Sequence, residues 1–540
     1  MKAGAVVGVF PADEHCSRER LFRALEAVFD VTFVARRPGE WRGVDAALVL
    51  GDAGTTVDDL RAAGVPTFSA PVDRVGRRRG HALITFAVDA AVDARIRGRH
   101  LVEAHSPAAP LDEGGTGTVL ATGPRGAVWA RRRPAGVVHD EVSTPLDELL
   151  PGERLKDQVA AGRFLSLLPL VQFLRDVVEH GWERPPLRAS FILDDPNLHW
   201  RSYGYLRYPE LAAHAATHRY HVGIAMVPLD AVYAHPATVR LFRSSPQLSL
   251  LVHGNDHVKR ELAQPLPHAQ AVAMLSQALC RMAAFERRHR LRVCRVMVPP
   301  HYDCSEPMMA AMVETGFEAV SYTGPVDVVA DPLGGWTPAD VHLGGGLPGL
   351  HRLPFDATTD ELALRAFLDQ AIVLYGHHTD LAKGIDVLAA AAERVNSLGD
   401  VAWASSAAVA RSSYLVRRDG ATTHVRAYSR HLVVTPADGT SRLCVELPPS
   451  AGKREETMRL LGGSGGGAVS TTGEGAGLAV SGGTPVAIEL VAPAGSTVAP
   501  SVTETRPAWR PWPIVRRCLT ETRDRVSPLL GVEWSQRQVQ

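Results

Sequence analysis

The amino-acid sequence predicts an α/β protein built on a central (β/α) barrel or strongly curved parallel sheet, with a doubly wound α/β domain before it and an antiparallel β-sandwich after it. Between residues 187 and 408, about seven or eight short apolar runs alternate with helical patterns, which is typical of a barrel or a strongly curved parallel sheet. Residues 1–135 show the same alternation over four shorter runs, which favours a flavodoxin-like or Rossmann-like sheet. Residues 409–502 consist of short alternating runs between Gly-rich turns, the pattern of a β-sandwich.

The length and charge of the chain narrow the functional classes. Its 540 residues correspond to roughly three domains. Lys plus Arg equal Asp plus Glu at 58 each, so no overall field draws the protein to nucleic acid or to an anionic membrane. No stretch approaches the ~20 apolar residues of a membrane span, and the apolar run before Pro11 is interpreted as a strand rather than a signal peptide. We therefore expect a cytoplasmic protein. The sequence does not determine its oligomeric state.

The first domain carries no recognisable phosphate-binding motif. Residues 17–29 have apolar side chains at helical spacing, with Ser17 as the expected helix cap. The turn before this helix, FPADEHCS, contains neither G-x-G-x-x-G nor a Walker lysine. We therefore expect a structural or partner-contacting module. Its predicted strands are GAVVGVF, DVTFVA, DAALVLGD and VPTFSA.

Helical segments flank the barrel and the sandwich. Residues 136–186 are predicted as a linker with one long apolar helix over residues 155–180, ended by ERPPLR. Residues 503–540 are predicted as a helical tail, in which the amphipathic stretch IVRRCLTETRDRVSPLL follows a Trp/Pro-rich segment. Such a tail is more often docked on its own domain than inserted as a membrane helix.

Acidic and imidazole side chains recur where the predicted barrel strands end. In parallel α/β folds the carboxyl ends of the strands meet in one crevice, so these side chains are expected to lie together. The segments FILDDPN, LLVHGNDH, VMVPPHYD and IVLYGHHTD contribute Asp194, Asp195, His253, His257, His301, Asp303, His377 and His378.

Each segment also has an ordinary structural interpretation. Paired aspartates after a strand commonly form a turn or a helix cap. His253 and His257, in H-x-x-x-H spacing, could supply two imidazoles to a zinc ion or could be surface or core histidines. Strand alternation sends His377 and His378 to opposite faces, so at most one is expected to face a site. The coincidence of four such segments favours a site.

Residues 187–406, about two fifths of the chain, resemble the polysaccharide deacetylase superfamily, carbohydrate esterase family four and its relatives. The family domain is a deformed (β/α) barrel. ILDDP matches the first family motif, and the resemblance implies Asp194 as catalytic base and Asp195 as metal ligand. HGNDH matches the second motif and implies His253 and His257 as the other two ligands.

The end of a late strand in this family supplies the general acid. LYGHH resembles that strand end, with His377 the better match and His378 the next. The resemblance implies a metal-dependent hydrolase that removes an acyl group, typically acetyl, from an N-acetylated carbohydrate or a related amide. A divalent cation, expected to be zinc, is the implied cofactor.

Three positions depart from the family motifs. Gly254 stands where Ser or Thr is usual, and Val298 stands where an Arg normally orients the catalytic base. Arg295 is one candidate for that task if the strand register permits. No convincing Asp-x-x-Asp-Trp motif is found, since Asp356 in LPFDATTD is as well explained as a helix-flanking residue.

Side chains near these motifs are candidates for substrate contact. Aromatic rings can stack on sugar faces, although Trp is also a common core residue. The loop after VMVPP and the segment after the Asp pair are therefore predicted to line the cleft. The predicted substrate-binding residues are His199, Trp200, His301, Tyr302 and Asp303.

Two other functions remain open at this point. A glycoside hydrolase on a related barrel would use two carboxylates across a sugar and need no metal. A glycan-binding or scaffolding protein could keep the metal site with little turnover, and Val298 at the Arg position favours this alternative. The expected partner in each case is a carbohydrate or an N-acyl small molecule, not nucleic acid. A membrane-peripheral step in making a surface glycan would reconcile such chemistry with a cytoplasmic address.

Overall fold

The computed structural model describes most of the chain. The described residues are 4–51, 54–72, 79–105, 110–111, 117–179, 181–323, 341–343, 347–447, 457–460, 468–470, 477–491 and 511–530.

The N-terminal domain is a mixed nine-stranded sheet. Its first four strands lie parallel to one another in the order β2-β1-β3-β4, as expected for a doubly wound unit, but β8, β7, β5 and β6 extend the sheet antiparallel from β9. The sheet thus runs past residue 135, the predicted boundary. Its elements are β1 (Ala5–Phe10), α1 (Ala12–Ser17), α2 (Glu19–Glu26), β2 (Val31–Ala35), β3 (Ala46–Leu50), α3 (Gly54–Ala62), β4 (Thr67–Ala70), β5 (Arg79–Phe86), β6 (His100–His105), β7 (Thr118–Gly123), β8 (Gly126–Arg132) and β9 (His139–Val142).

Two helix predictions in this half of the chain are corrected. Ser17 does not cap a helix but ends α1, where its hydroxyl donates to the Asp13 carbonyl, and α2 begins two residues later at Glu19. The single helix predicted over residues 155–180 is two helices, α4 (Leu155–Ala160) and α5 (Leu168–Val177). Gly162 separates them with a φ of 74°, a left-handed conformation that ends α4 and that glycine adopts without strain.

The central domain is a closed parallel barrel, as the sequence predicts. Seven strands pair in the order β14-β15-β16-β17-β19-β20-β11, and β11 pairs again with β14 to close the ring. Its elements, with the short strand that precedes them, are β10 (Trp182–Glu183), β11 (Leu187–Asp194), β12 (Ser202–Tyr203), β13 (Leu206–Arg207), α6 (Tyr208–His218), β14 (Val222–Met226), α7 (Pro236–Ser244), β15 (Leu248–Val252), α8 (His268–His289), β16 (Val293–Met297), α9 (Glu306–Thr315), β17 (Ala319–Tyr322), β18 (Val341–Leu343), β19 (Leu347–Pro354), α10 (Thr359–Phe367), β20 (Ile372–His377), α11 (Asp386–Asn396), β21 (Val401–Trp403) and α12 (Ser406–Arg411).

The barrel interior is filled by one apolar cluster to which every strand of the ring contributes. Because side chains alternate across a strand, the residue two positions further along each strand faces the same interior. These second positions lie at the carboxyl-end rim, which we call the barrel mouth. The strand residues that contribute to the apolar cluster are Ile192, Ala225, Leu251, Val296, Ala319, Leu350 and Val373.

The C-terminal domain packs two sheets around a shared core. One has the order β10-β22-β23-β25-β28 and the other β24-β29-β26-β27, and buried residues of both form one cluster. The sandwich is not purely antiparallel, since β23 and β25 pair in parallel. Its elements are β22 (Tyr414–Asp419), β23 (Thr422–Ala427), β24 (His431–Val434), β25 (Arg442–Glu446), β26 (Thr457–Leu460), β27 (Ala468–Ser470), β28 (Leu478–Ala479) and β29 (Val486–Val491).

The final helix, α13 (Pro511–Leu530), leaves the sandwich and lies against the barrel. Helix packing there is mediated by charged side chains, which are described with the candidate site. Among the described residues, no helix combines the length and apolar character that crossing a bilayer requires.

A buried ion-pair cluster joins the N-terminal domain, the linker and the barrel. Asp369, after α10, accepts from Arg184 Nε at 2.6 Å and from Arg175 Nη2 at 3.0 Å, and it also pairs with Arg95. Burial alone would raise the pKa of Asp369, but the three guanidinium groups outweigh burial and hold that pKa well below its usual value of 3.8. The charge of Asp369 therefore stabilises the contact between these segments.

We predict that Asp369→Asn lowers the free energy of unfolding by about 3–5 kcal/mol at neutral pH, because it leaves three buried guanidinium groups with Asp93 but without the second carboxylate that neutralises them. A carboxylate with a depressed pKa contributes stability above its unfolded pKa and loses it as pH falls through the folded value. The difference between variant and native protein should therefore shrink below pH 3.8. Denaturant unfolding across pH measures it, and Asp386→Asn, whose side chain is 95% exposed, should change stability little. An equal effect of the two substitutions would contradict the prediction.

Candidate metal centre

The barrel mouth brings together side chains from four strand ends. Asp194 is the last residue of β11, and Asp195 follows it with a φ of 82°. His253 follows β15 directly, and His257 lies four residues later with a φ of 55°. Left-handed conformations of non-glycine residues are strained and concentrate at functional sites. Their presence here at two of the three predicted ligands marks a constrained loop cluster.

The three predicted metal ligands lie within reach of one ion. Asp195 Oδ1 is 3.0 Å from His257 Nε2 and 3.6 Å from His253 Nε2, and one potential ligand atom of each residue lies within 4.8 Å of the others. His253 Nδ1 is 2.8 Å from the Val298 carbonyl oxygen. Because a carbonyl only accepts, Nδ1 carries a proton, and Nε2, which faces Asp195, is the nitrogen available to a metal. This is the tautomer that a ligating histidine needs.

The electrostatics of Asp195 and His257 also suit a cation. At His253, burial would lower the pKa, but the nearby Asp195 carboxylate outweighs burial and raises that pKa, so a metal would displace a proton there. Burial would raise the pKa of Asp195, but His257 and His253 outweigh burial and hold that pKa well below its usual value. Burial lowers the pKa of His257 to about 4, so its imidazole is neutral at physiological pH, as a ligand must be. Asp195 Oδ1 is buried and has no hydrogen-bond partner among the described residues. Two imidazoles and a carboxylate with an unsatisfied oxygen fit a divalent metal of the zinc type.

A buried carboxylate organises the loop that carries both histidines. Glu261 accepts from the backbone N–H groups of Asn255 at 2.6 Å, Asp256 at 3.1 Å and His257 at 3.2 Å. A Cβ on Gly254 would lie 1.9 Å from Glu261 Oε1, and Gly254 has a φ of 63°. Glycine at the position where the family motif has Ser or Thr is therefore explained, since the Glu261 carboxylate fills the space of that side chain.

The catalytic-base candidate has a buried arginine partner that the sequence analysis missed. Arg352 Nη1, on β19, donates to both oxygens of Asp194 at 2.8 and 2.9 Å, and its guanidinium lies 4.5 Å from the Tyr375 ring centroid. Arg295 is not that partner, because its guanidinium binds Glu286 at 2.7 Å. Val298 leaves no gap in the support of Asp194, because a different strand supplies the arginine. An arginine inside the apolar run LPGLHRLPF was the available signal, and strand alternation with Leu350 places it inside the barrel.

The structure separates the two adjacent histidines of β20. His377 is paired in register with Asp194 on neighbouring strands, so the two side chains share the interior face at the mouth. Its imidazole is half-buried. His378 is buried, with Nε2 3.6 Å from Asp524 Oδ2 and its ring edge-on to Tyr203. His377 thus lies beside the base candidate, and His378 faces α13.

The predicted substrate-binding residues divide into two groups. The His301 ring lies 5.3 Å from that of His257, and the Tyr302 ring lies 5.6 Å from that of Tyr375, so both border the ligand cluster. The other three lie further out: Asp303 pairs with Arg260 at 2.8 Å, His199 contacts Glu521, and Trp200 is 58% exposed.

Helix α13 lies across the mouth, which sequence reasoning did not foresee. Arg517 Nε lies 3.2 Å from an oxygen of buried Asp230, in the 3₁₀ turn 228–230, and Arg517 Nη1 is 3.7 Å from Asp195 Oδ1. Arg516 Nη2 is 3.4 Å from His257 Nδ1, and Asp524 contacts His378. The spacing of Arg517, Glu521 and Asp524 places three charges on one helix face, and this pattern was the available signal.

The comparisons with known proteins found similar proteins among solved structures. No family model matches this sequence, and no curated protein matches it. A Mycobacterium smegmatis protein described as a polysaccharide deacetylase is 16% identical over 43% of this chain and 91% of its own, with a TM-score of 0.32. A family 4 carbohydrate esterase from Streptomyces lividans is 13% identical over 40% and 88%, with a TM-score of 0.25. A family 4 pseudoenzyme from Bacillus anthracis is 10% identical over 41% and 64%, with a TM-score of 0.26.

These similar structures bear the names of a polysaccharide deacetylase and of members of carbohydrate esterase family 4. A pseudoenzyme is among them, and identities and scores this low carry no information about activity. The activity of this chain depends on the side chains at its own barrel mouth.

We predict that Gly254→Ser destabilises the protein by about 3 kcal/mol and weakens zinc binding, because the new Cβ meets the Glu261 carboxylate in a left-handed conformation. Gly316→Ser is a matched control: its φ is 88°, but no described atom lies within 4 Å of the added Cβ, so only the backbone cost applies. Combining Gly254→Ser with Glu261→Ala should cost less than the sum of the two single changes. Thermal unfolding and zinc titration measure both effects, and strict additivity would show that the clash is absent.

We predict that the contact between α13 and the barrel weakens as pH rises above 6.5. Burial disfavours the charged form of His199, but the hydrogen bond to Glu521 outweighs burial and raises its pKa above 6.5, and the same contact lowers the pKa of Glu521 to about 2. A histidine whose pKa is raised by folding contributes its full stabilisation below the pKa of the unfolded state. That stabilisation is lost as pH rises through the pKa of the folded state. The stability difference between native protein and His199→Gln, about 1 kcal/mol, should be largest between pH 4.5 and 6.5. Thr522→Ala, an exposed change on the same helix, should show no such dependence.

Proposed function

We propose that this protein is a metal-dependent hydrolase that removes an acyl group, typically acetyl, from an N-acylated carbohydrate or a related amide. The cluster of Asp195, His253 and His257 beside the Asp194–Arg352 pair supports this function most directly. It places a set of metal ligands next to a buried carboxylate with a fixed orientation. The motifs that resemble the deacetylase superfamily supply the substrate class.

Asp195, His253 and His257 would hold the metal, which we propose to be zinc. When bound there, a divalent ion polarises an acyl carbonyl and lowers the pKa of water. The protein itself prepares the ligands: the Val298 carbonyl sets the tautomer of His253, and Glu261 holds the backbone of His257. Both features act before any ion arrives.

Asp194 is the proposed general base. Arg352 Nη1 donates to both carboxylate oxygens and fixes the direction of the carboxylate, and burial keeps competing solvent away from it. Asp194 would take a proton from the water that attacks the acyl carbon, which makes that water a better nucleophile. The carboxylate must keep one lone pair free of Arg352 for this step, and each oxygen retains one.

His377 is the proposed general acid. It shares the interior face with Asp194 and is partly open to the mouth, so it would be placed to protonate the departing nitrogen. Protonation of that nitrogen converts a poor amide leaving group into an amine. His378 is the weaker candidate, because Asp524 faces its Nε2 and Tyr203 packs on its ring. His301 and Tyr302 are the proposed sugar contacts at the rim.

We predict that Asp194→Asn keeps its zinc but lowers kcat by ~10²–10⁴-fold, since it removes the base and leaves the ligands in place. His253→Ala and His257→Ala should each lose stoichiometric zinc. Metal analysis and acetate release from a panel of acetylated sugars, with zinc or cobalt present, provide the measurements. His268→Ala, at an exposed histidine paired with Glu314 outside the mouth, is the control. Stoichiometric zinc in both ligand variants would disprove the assigned site.

A second candidate is a glycan-binding protein that retains the metal site with little turnover. The position of α13 favours this alternative, because Arg517 lies close to Asp195 and the helix restricts access to the mouth. Metal loading and glycan binding without acetate release, both in the native protein and in Arg517→Ala, would support it. Acetate release in either protein would exclude it.

A metal-free glycoside hydrolase is less consistent with the geometry. Asp194 is bound by Arg352, and Asp195 lies between two imidazoles, so neither carboxylate is free to act as an acid across a sugar ring. Chelators would inhibit the proposed deacetylase and leave a glycosidase unaffected.

A further inference from the structure

Helix α13 buries charged side chains against the barrel and exposes apolar side chains. Its charged side chains Arg517 and Asp524 are buried against the barrel, whereas its outward face is apolar. Exposed fractions on that face are 68% for Trp512, 46% for Val515 and 64% for Leu519. Surface helices normally bury their apolar side and expose their charges. A helix that does the reverse has an outward face suited to an apolar partner.

The apolar surface continues from α13 onto the adjacent barrel loops. The Arg525 guanidinium lies 5.5 Å from the Trp200 ring centroid, and Glu521 contacts His199, whose ring lies 6.2 Å from that of Tyr233. More than half of the exposed large apolar side chains of the described chain lie in this one region. We call it the outer patch, and its members are Trp200, Val232, Tyr233, Trp512, Ile514, Val515, Leu519 and Val526.

The charge around the outer patch is positive. Helix α13 carries four arginines and two acidic residues, and one of the arginines, Arg517, is buried against Asp230. On α13, Arg516, Arg523 and Arg525 are at least partly exposed and flank the apolar face, and Arg523 and Arg525 also contact Asp524 and Glu521 of the same helix. A second copy docked through this patch would bring the same cationic segment against itself. An anionic partner is favoured instead.

We propose that the outer patch docks on the surface of a lipid bilayer that carries anionic headgroups. Two exposed tryptophans with aliphatic neighbours match the composition that partitions into the interface. The flanking arginines match anionic headgroups in charge. The patch is a convex helix face with adjoining loops, and a fluid bilayer needs no shape complementarity to accept it. The proposed binding is peripheral, and α13 does not cross the membrane.

The geometry places the candidate site at that surface. The inner face of α13 contacts Asp195, His257 and His378, while its outer face would lie in the headgroup region. Docking would therefore hold the barrel mouth next to the bilayer. This inference does not require the proposed hydrolase function, because the patch and its charge are independent of the metal ligands.

Co-sedimentation of the full-length protein with vesicles tests the proposal. Vesicles of phosphatidylcholine alone are compared with vesicles of phosphatidylcholine and phosphatidylglycerol. We expect the native protein to bind the anionic vesicles and to be released by added salt. Val515→Glu combined with Leu519→Glu should weaken binding at least about tenfold, because two carboxylates enter the apolar face. Leu83→Glu combined with Val119→Glu, at exposed apolar positions of the N-terminal sheet, should bind as the native protein does.

Three results would overturn the proposal. The first is failure of the native protein to bind either kind of vesicle. The second is a dimer in light scattering that the Val515→Glu and Leu519→Glu variant dissolves, which would make the patch a self-association surface. The third is a thermal midpoint several degrees lower in that variant than in the control variant, which would show that the chain itself covers the patch. None of these measurements depends on hydrolytic activity.

Discussion

Closure of the seven-stranded barrel is the constraint on which the candidate site depends. β11 pairs with β14 on one edge and with β20 on the other, so the carboxyl ends of all seven strands meet at one mouth. Asp194 and Arg352 lie 158 residues apart in sequence but share an interior layer because both strands belong to the ring. An open sheet with the same strand order would keep β19 and β11 close, but it would leave β15, which precedes His253, near the edge opposite β11. Ring closure thus creates the juxtaposition that the chemistry needs.

Compensation of buried charge determines how rigid this mouth is. A buried ion without a partner costs several kcal/mol, so each charge at the mouth is held by a residue from another element. Arg352 holds Asp194, Asp230 holds Arg517, and the backbone of one loop surrounds Glu261. The same logic joins the domains through Asp369. These contacts orient the groups that would bind the metal and the substrate, and they also fix α13 across the entrance.

The local spacing of residues was sufficient to predict part of the fold and part of the site. The alternation of apolar runs and helical patterns predicted the barrel, and the motif matches selected Asp195, His253 and His257, which the structure brings together. Arg352 was missed because its motif position in sequence is occupied by Val298, and only barrel geometry shows that β19 can supply the same group. The helix predicted over residues 155–180 failed because periodicity outweighed the turn-forming Gly162. The antiparallel extension of the first sheet was missed because strand pairing is not encoded in local pattern.

The sequence by itself determined which residue types are available and in which strand ends they stand, because side-chain alternation and turn signals are properties of a few neighbouring residues. The tertiary structure decided which of these groups meet. It assigned the arginine partner of Asp194, distinguished His377 from His378, and explained Gly254 through Glu261. It also brought α13 over the mouth with its apolar face outward. These outcomes depend on contacts between residues far apart in the chain, and they are decided by the cost of burying each charge without its partner.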